Sequence, residues 1–286
     1  MLRAVASVKT AMHSGHGKQA AVTTRFLASL AEQAPQAKLV TIPASSYAEK
    51  ARWALRIANI PFVEEKWAPL FVYLSTEPKG GRSVPLLTTP KVTLSDSADI
   101  VAFCAQTAPE LRPSESSEEL ERYFDAKLGP HTRRRAYFLW FQNNKLSRKV
   151  VTGSIDGLVQ RFMAWMLFPA LRLALLRAMN INATSAERSW LRIEGIFAEA
   201  ETRLGDGPIG SRFLAGTTFS SADIAFCSHV AVLVLPREHE FIAPYITMDA
   251  IQDPVFHARF EKLRSSKIGQ YVLWCYRNKR PMPTTM

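Results

Sequence analysis

Residues 1–31 contain no aspartate or glutamate, although Arg3, Lys9, Lys18 and Arg25 stand among many alanines, serines and threonines. That composition is expected of an organelle transit peptide, directed to a mitochondrion or a plastid; a disordered basic tail on a cytoplasmic protein has a similar one. His13 and His16 in this segment are too few to indicate a metal. Cysteine is also scarce. Cys104, Cys227 and Cys275 are far apart and lack CxxC spacing, which argues against a disulfide framework and a thiol redox motif. No recognition helix, zinc finger or ribonucleoprotein pattern accompanies the net charge of +11, so nucleic acid is not the expected partner. No internal repeat or low-complexity run is present.

What is there changes character along the chain. Lys38–Ile42 is a short β-branched run stopped by Pro43, which predicts a strand. Ser46-Tyr47-Ala48-Glu49 has the S-x-x-E spacing of a capping box and predicts a helix from Tyr47 to about Ala58, with Ser46 as its cap. Further strands are expected at 60–65, 84–88 and 92–94, and a helix opening on Asp96-Ser97 and running to about Gln106. This β-α-β, loop, β-β-α order predicts a thioredoxin-like unit over 38–107. Residues 108–117 have linker composition. From Glu118 to about residue 280 strand signals vanish, and helical runs at 118–128, 131–146, 155–179, 185–204, 220–235 and 256–276 predict an all-helical second domain. The fold class expected is α/β plus all-α.

Within the helical half, Ser220-Ser221-Ala222-Asp223 is a second capping box, flanked by Phe219 and Ile224 as a hydrophobic staple. The stretch from Phe162 to Leu171 is intensely apolar yet too short to span a bilayer, and Pro169 and Arg172 interrupt it. It is expected to be a buried helix lining an inter-helix groove; the functional alternatives are one wall of an apolar substrate pocket or a membrane-surface contact with Arg161, Arg172 and Arg177 at anionic lipid. The run Arg133-Arg134-Arg135 either faces an acidic ligand or alternates between solvent and salt bridges.

Four features in order resemble the glutathione S-transferase family over roughly residues 38–276. Ala44-Ser45-Ser46-Tyr47-Ala48-Glu49-Lys50-Ala51-Arg52 is similar to the active-site turn of its serine and cysteine classes. Ser83-Val84-Pro85-Leu86 resembles the segment with the cis-proline, and Asp96-Ser97 the acid-serine pair that holds the γ-glutamyl end of glutathione. Phe213-Leu214-Ala215-Gly216-Thr217 leading to Ser220–Asp223 resembles the capping motif of the helical domain.

The resemblance implies glutathione as co-substrate and a catalytic hydroxyl at Ser45. A donor beside a helix N-terminus favours a thiolate, because hydrogen bond and dipole both stabilise the anion. Ser46 is the fallback donor if the register slips by one. The other positions implied for glutathione are Ser46, Arg82, Val84, Pro85, Asp96 and Ser97. Val84 would pair with the extended peptide through its backbone if the Val84–Pro85 bond is cis, whereas X-Pro bonds are trans by default. Asp96 suits an ammonium and Ser97 a carboxylate, although both residue types also serve simply as helix caps. Serine where many relatives carry cysteine argues against thiol-disulfide exchange. The expected function is a glutathione transferase conjugating or reducing an apolar electrophile, with a homodimer implied by the family. The alternative is a non-catalytic organellar adaptor of the same fold that binds a protein or a membrane surface.

Overall fold

The computed structural model describes residues 37–81 and 83–282. The leader expected at 1–31 and the candidate Arg82 lie outside them.

Strand β1 (Ala37–Thr41) places Leu39, Val40 and Thr41 in the interior. It runs parallel to β2 (Phe62–Lys66) on one side and antiparallel to β3 (Leu86–Thr88) on the other, and β3 pairs with β4 (Thr93–Leu94). The parallel β1–β2 pair needs a crossover, and helix α1 (Ser46–Ile57) supplies it. β3 begins only after Pro85, which has no N–H to give a ladder. The Val84–Pro85 peptide bond is cis.

The cap of α1 differs from the expectation. Ser45, not Ser46, has the extended cap conformation, and its Oγ accepts the Ala48 N–H. Glu49 cannot complete a box with Ser46 because its carboxylate is drawn inward. It accepts from Arg280 Nε at 2.6 Å and Arg52 Nη1 at 3.3 Å, all three side chains being fully buried. A charge in the interior is stable only when paired, so the buried guanidinium groups win over a solvated cap.

After the four-residue helix α2 (Tyr73–Thr76), helix α3 (Ser97–Cys104) opens as expected, with Asp96 Oδ1 accepting the Ala98 N–H at 2.7 Å. A 3₁₀ turn at Pro109–Leu111 then leads to α4 (Glu115–Tyr123), capped by Ser114. A π-helical turn over Phe124–Leu128 joins α4 to α5 (Gly129–Trp140).

Several of the long helical runs are broken where a polar residue caps a new helix. Asn143 accepts from Lys145 and Leu146 N–H to start α6 (Asn144–Thr152). The 155–179 run splits into α7 (Leu158–Met166) and α8 (Phe168–Ala178), bent by 72° with Pro169 in the first turn of α8. After α9 (Ala183–Leu204) and α10 (Ser221–Val234), the 256–276 run splits at Ser266 into α11 (Pro254–Ser265) and α12 (Lys267–Asn278). Gly269 allows that turn, since a Cβ there would lie 1.9 Å from the Leu263 carbonyl oxygen.

One continuous core joins the sheet to the helices. Trp53 of α1 packs on Phe219 and Tyr276, and its indole N–H donates to the Lys279 carbonyl at 3.1 Å. The Ser220–Asp223 box forms, with Asp223 Oδ2 accepting the Ser220 N–H at 2.8 Å and O–H at 2.9 Å.

Candidate functional site

A cleft of about 280 Å³ lies between the thioredoxin-like and helical parts. Ser45, Tyr47 and Val84 line one wall, and Arg133, Tyr137 and Trp140 of α5 line the other. Leu175 and Ala178 of α8 also line it, and the cleft is mainly apolar.

The two adjacent serines have different duties. Ser45 is half-buried at the cleft wall, and its oxygen accepts the Ala48 N–H at 3.4 Å. Among the described residues nothing accepts its own O–H. Ser46 is buried, and its Oγ stands 2.8 Å from His229 Nδ1. His229 Nε2 in turn lies 2.9 Å from Asp125 Oδ1. Lys50 Nζ, also buried, bridges Asp125 at 2.5 Å and Glu121 at 2.6 Å.

Charge fixes the direction of that chain. Burial alone would raise the Asp125 carboxyl, but the His229 hydrogen bond and the Lys50 charge outweigh it and hold it below the usual range. Burial lowers His229, and Asp125 only partly offsets this, so the ring is neutral near pH 7. With Asp125 ionised, the His229 proton sits on Nε2. Nδ1 then accepts from Ser46, whose O–H is thereby used. The Gly129 position passes close to this group. A Cβ there would come within 2.6 Å of the Tyr47 hydroxyl and 2.8 Å of His229 Cε1.

The Tyr47 hydroxyl donates to the Asp125 carbonyl at 2.7 Å. Burial pushes its phenol up to about 12, so it stays protonated. Val84 faces the cleft, and among the described residues neither its N–H nor its C=O takes part in a backbone hydrogen bond. Pro85 is buried behind it. Asp96 is exposed and lines a separate depression beyond Tyr47, together with Asp99, Arg122 and Asp125, whereas Ser97 is buried. The structure therefore gathers Ser45, Ser46 and Val84 on the cleft and sets Asp96 next door.

The arginine run has three fates, and none is a salt bridge among the described residues. Arg133 is exposed at the cleft. Arg134 donates to the Met179 carbonyl at 3.2 Å and to Ser189 Oγ at 3.1 Å. Arg135 is buried, 4.1 Å from the Phe256 ring centroid and 5.2 Å from that of Trp190, and burial pushes it down to about 10. Sequence reasoning singled out the run but did not place Arg133 on the site. His229 gave no signal, because its partner Ser46 is 183 residues away. Among the described residues no group of three His, Cys, Asp or Glu side chains is placed to hold a metal.

Residues 39–113 match the family model of the glutathione S-transferase N-terminal domain. The chain has the glutathione transferase fold. Glutathione transferase GSTFuA3 from Phanerochaete chrysosporium superposes with a TM-score of 0.59 at 14% identity, over 88% of this chain and 100% of that one. The glutathione S-transferase CsGST63524 of Ceriporiopsis subvermispora, solved in complex with glutathione, gives 0.57 at 16% identity, over 87% and 100%. No curated protein sequence matches the chain. Thioredoxin-like and helical parts of the glutathione transferase fold thus account for 37–278, with Ser45 at the start of the first helix.

Proposed function

We propose that the protein is a glutathione transferase in which Ser45 donates a hydrogen bond to the glutathione thiolate, an apolar electrophile being held against Tyr137 and Trp140. The observation that carries this reading is the division of labour between the serines: Ser46 is committed to His229, while the Ser45 hydroxyl faces the cleft with its proton free. The first-turn amides of α1 add their dipole to the same spot. Val84 offers an unpaired backbone edge to an extended tripeptide, and Arg133 offers a cation to an anionic one. Positioning and thiolate stabilisation supply the rate gain.

The test separates the hydroxyl from the cap. Glycine keeps most of the stability of an N-cap, whereas alanine loses about 1 kcal/mol. Ser45→Gly is expected to keep the fold and glutathione binding. It should lower conjugation of an activated aryl chloride about 10- to 100-fold, the worth of one hydrogen bond to a charged group, and shift its pH profile upward. Turnover equal to wild type at every pH would sink the role of Ser45.

A second reading, a non-catalytic adaptor of this fold, draws on the exposed apolar surface of α7 and α8. Retention on immobilised glutathione separates the two.

A further inference from the structure

The buried helix expected over Phe162–Leu171 is not formed: helix α7 has one buried residue, Ala164, because no other element covers its apolar sides among the described residues. Leu158 is 81% exposed, Val159 78%, Phe162 60% and Trp165 51%; Met166, Leu167 and Leu173 continue the apolar surface into α8. A helix apolar on most sides is ordinarily buried, and uncovered patches of this kind mark contact sites. Neither helix alone is long enough to cross a bilayer. Nine and eleven residues reach about 14 and 16 Å at the helical rise, against a hydrocarbon core of about 30 Å, and the two axes differ by 72°.

The charge around this pair is segregated. Residues 144–178, which span α6 to α8, hold six lysines and arginines and a single acid, Asp156, while the whole chain holds 36 and 25. Five of the eleven net positive charges therefore lie in this stretch. Asp156 is paired with Lys66 Nζ at 3.1 Å. Lys145 and Lys149 of the adjoining α6 are exposed, as are Arg161 and Arg177. The Arg148 guanidinium lies 4.8 Å from the Trp165 ring centroid, joining a cation to the aromatic edge of the patch.

We propose that α7 and α8 form a docking face for an anionic phospholipid surface, lying in its interface with Phe162, Trp165 and Leu158 inserted and the basic side chains among the headgroups. Apolar insertion with surrounding lysine and arginine is how a helix binds such a surface. A second copy of the chain fits poorly, because a two-fold interface would set this basic face against itself. Leu175 and Ala178 of α8 line the cleft, so docking would place the cleft beside the bilayer, a source of apolar compounds.

The test is co-sedimentation of the full chain with vesicles of phosphatidylcholine doped with phosphatidylserine. Wild type should sediment with these and not with phosphatidylcholine alone, and binding should weaken severalfold between about 0.1 and 0.5 M salt. The double variant F162E/W165E should bind about a hundredfold more weakly with an unchanged circular dichroism spectrum. If it misfolds, L158Q/V159T, at the open end of α7, must still weaken binding about tenfold. The proposal fails if wild type does not sediment, if a folded variant sediments as well as wild type, or if the substitutions change only the oligomeric state.

Discussion

Helices α10 and α7 are both apolar, and they meet opposite environments. All fourteen residues of α10 are buried, including the polar Ser228 and His229, whereas α7 buries only Ala164. Composition states what a helix would gain by being covered. It does not say whether anything covers it. α10 passes between α1, α5 and α12, and two of its polar side chains are answered: Asp223 accepts from Ser220, from Leu214 N–H at 2.9 Å and from Tyr271 at 2.6 Å, and His229 lies between Ser46 and Asp125, whereas Ser228 Oγ has no partner among the described residues. α7 touches the body through Ala164, through Trp165 against the Arg148 guanidinium, and through Gln160, whose Oε1 accepts the Ala68 N–H at 2.8 Å.

The sharpest way to break this contrast is to truncate one phenylalanine in each helix. Phe226→Ala in α10 should cost about 3–5 kcal/mol in urea unfolding, the usual loss for a buried ring. A cost near zero would show that α10 is not the packed centre. Next in size is the charge cluster behind α1. Glu49→Gln removes the negative charge that Arg280 and Arg52 share, and it should cost about 3 kcal/mol; the cost stays at that end because Glu64 and Glu240 still partner the guanidinium groups. An unfolding curve like that of wild type would mean the buried ions are not coupled to the fold.

A smaller effect is expected from pH. Burial holds His229 below its ordinary value near 6.5, and it pushes His239 down to about 4. Both are neutral in the fold and become protonated first in the unfolded chain. Their contribution is complete above about pH 6.5 and is lost as pH falls, at up to about 1.4 kcal/mol per unit for each histidine. Melting temperature should therefore drop between pH 6.5 and 5, before carboxylates titrate, and His239→Gln should flatten that drop. A flat wild-type profile would contradict neutral buried histidines. The smallest effect is expected from Phe162→Ala in α7, within about 0.5 kcal/mol of wild type. A loss as large as that of Phe226→Ala would erase the contrast between the helices and place α7 in the core.

Features that act over three or four residues were legible in the chain. The strand at Lys38–Ile42, the Asp96 cap and the Ser220–Asp223 box all follow from neighbours in sequence, and each lies within a residue or two of its expected place. Ser45 and Ser46 were visible as a pair, but not which of them caps. S-x-x-E spacing favoured Ser46, and only the arrival of Arg280 from the far end of the chain, taking Glu49 inward, removed that option. The long helical runs were also legible, but three of them hid breaks at Asn143, Leu167 and Ser266, where a local cap or proline outweighed a continuing apolar period.

The amino-acid order alone thus determined the two-part architecture, because hydrophobic period and capping are local energies that each segment carries with it. Tertiary structure decided which serine keeps its proton, why three consecutive arginines meet solvent, a carbonyl and an aromatic cage, and which apolar helix stays uncovered. Those outcomes depend on burial and on partners as many as 231 residues distant, and desolvation acts only once the chain has brought them together.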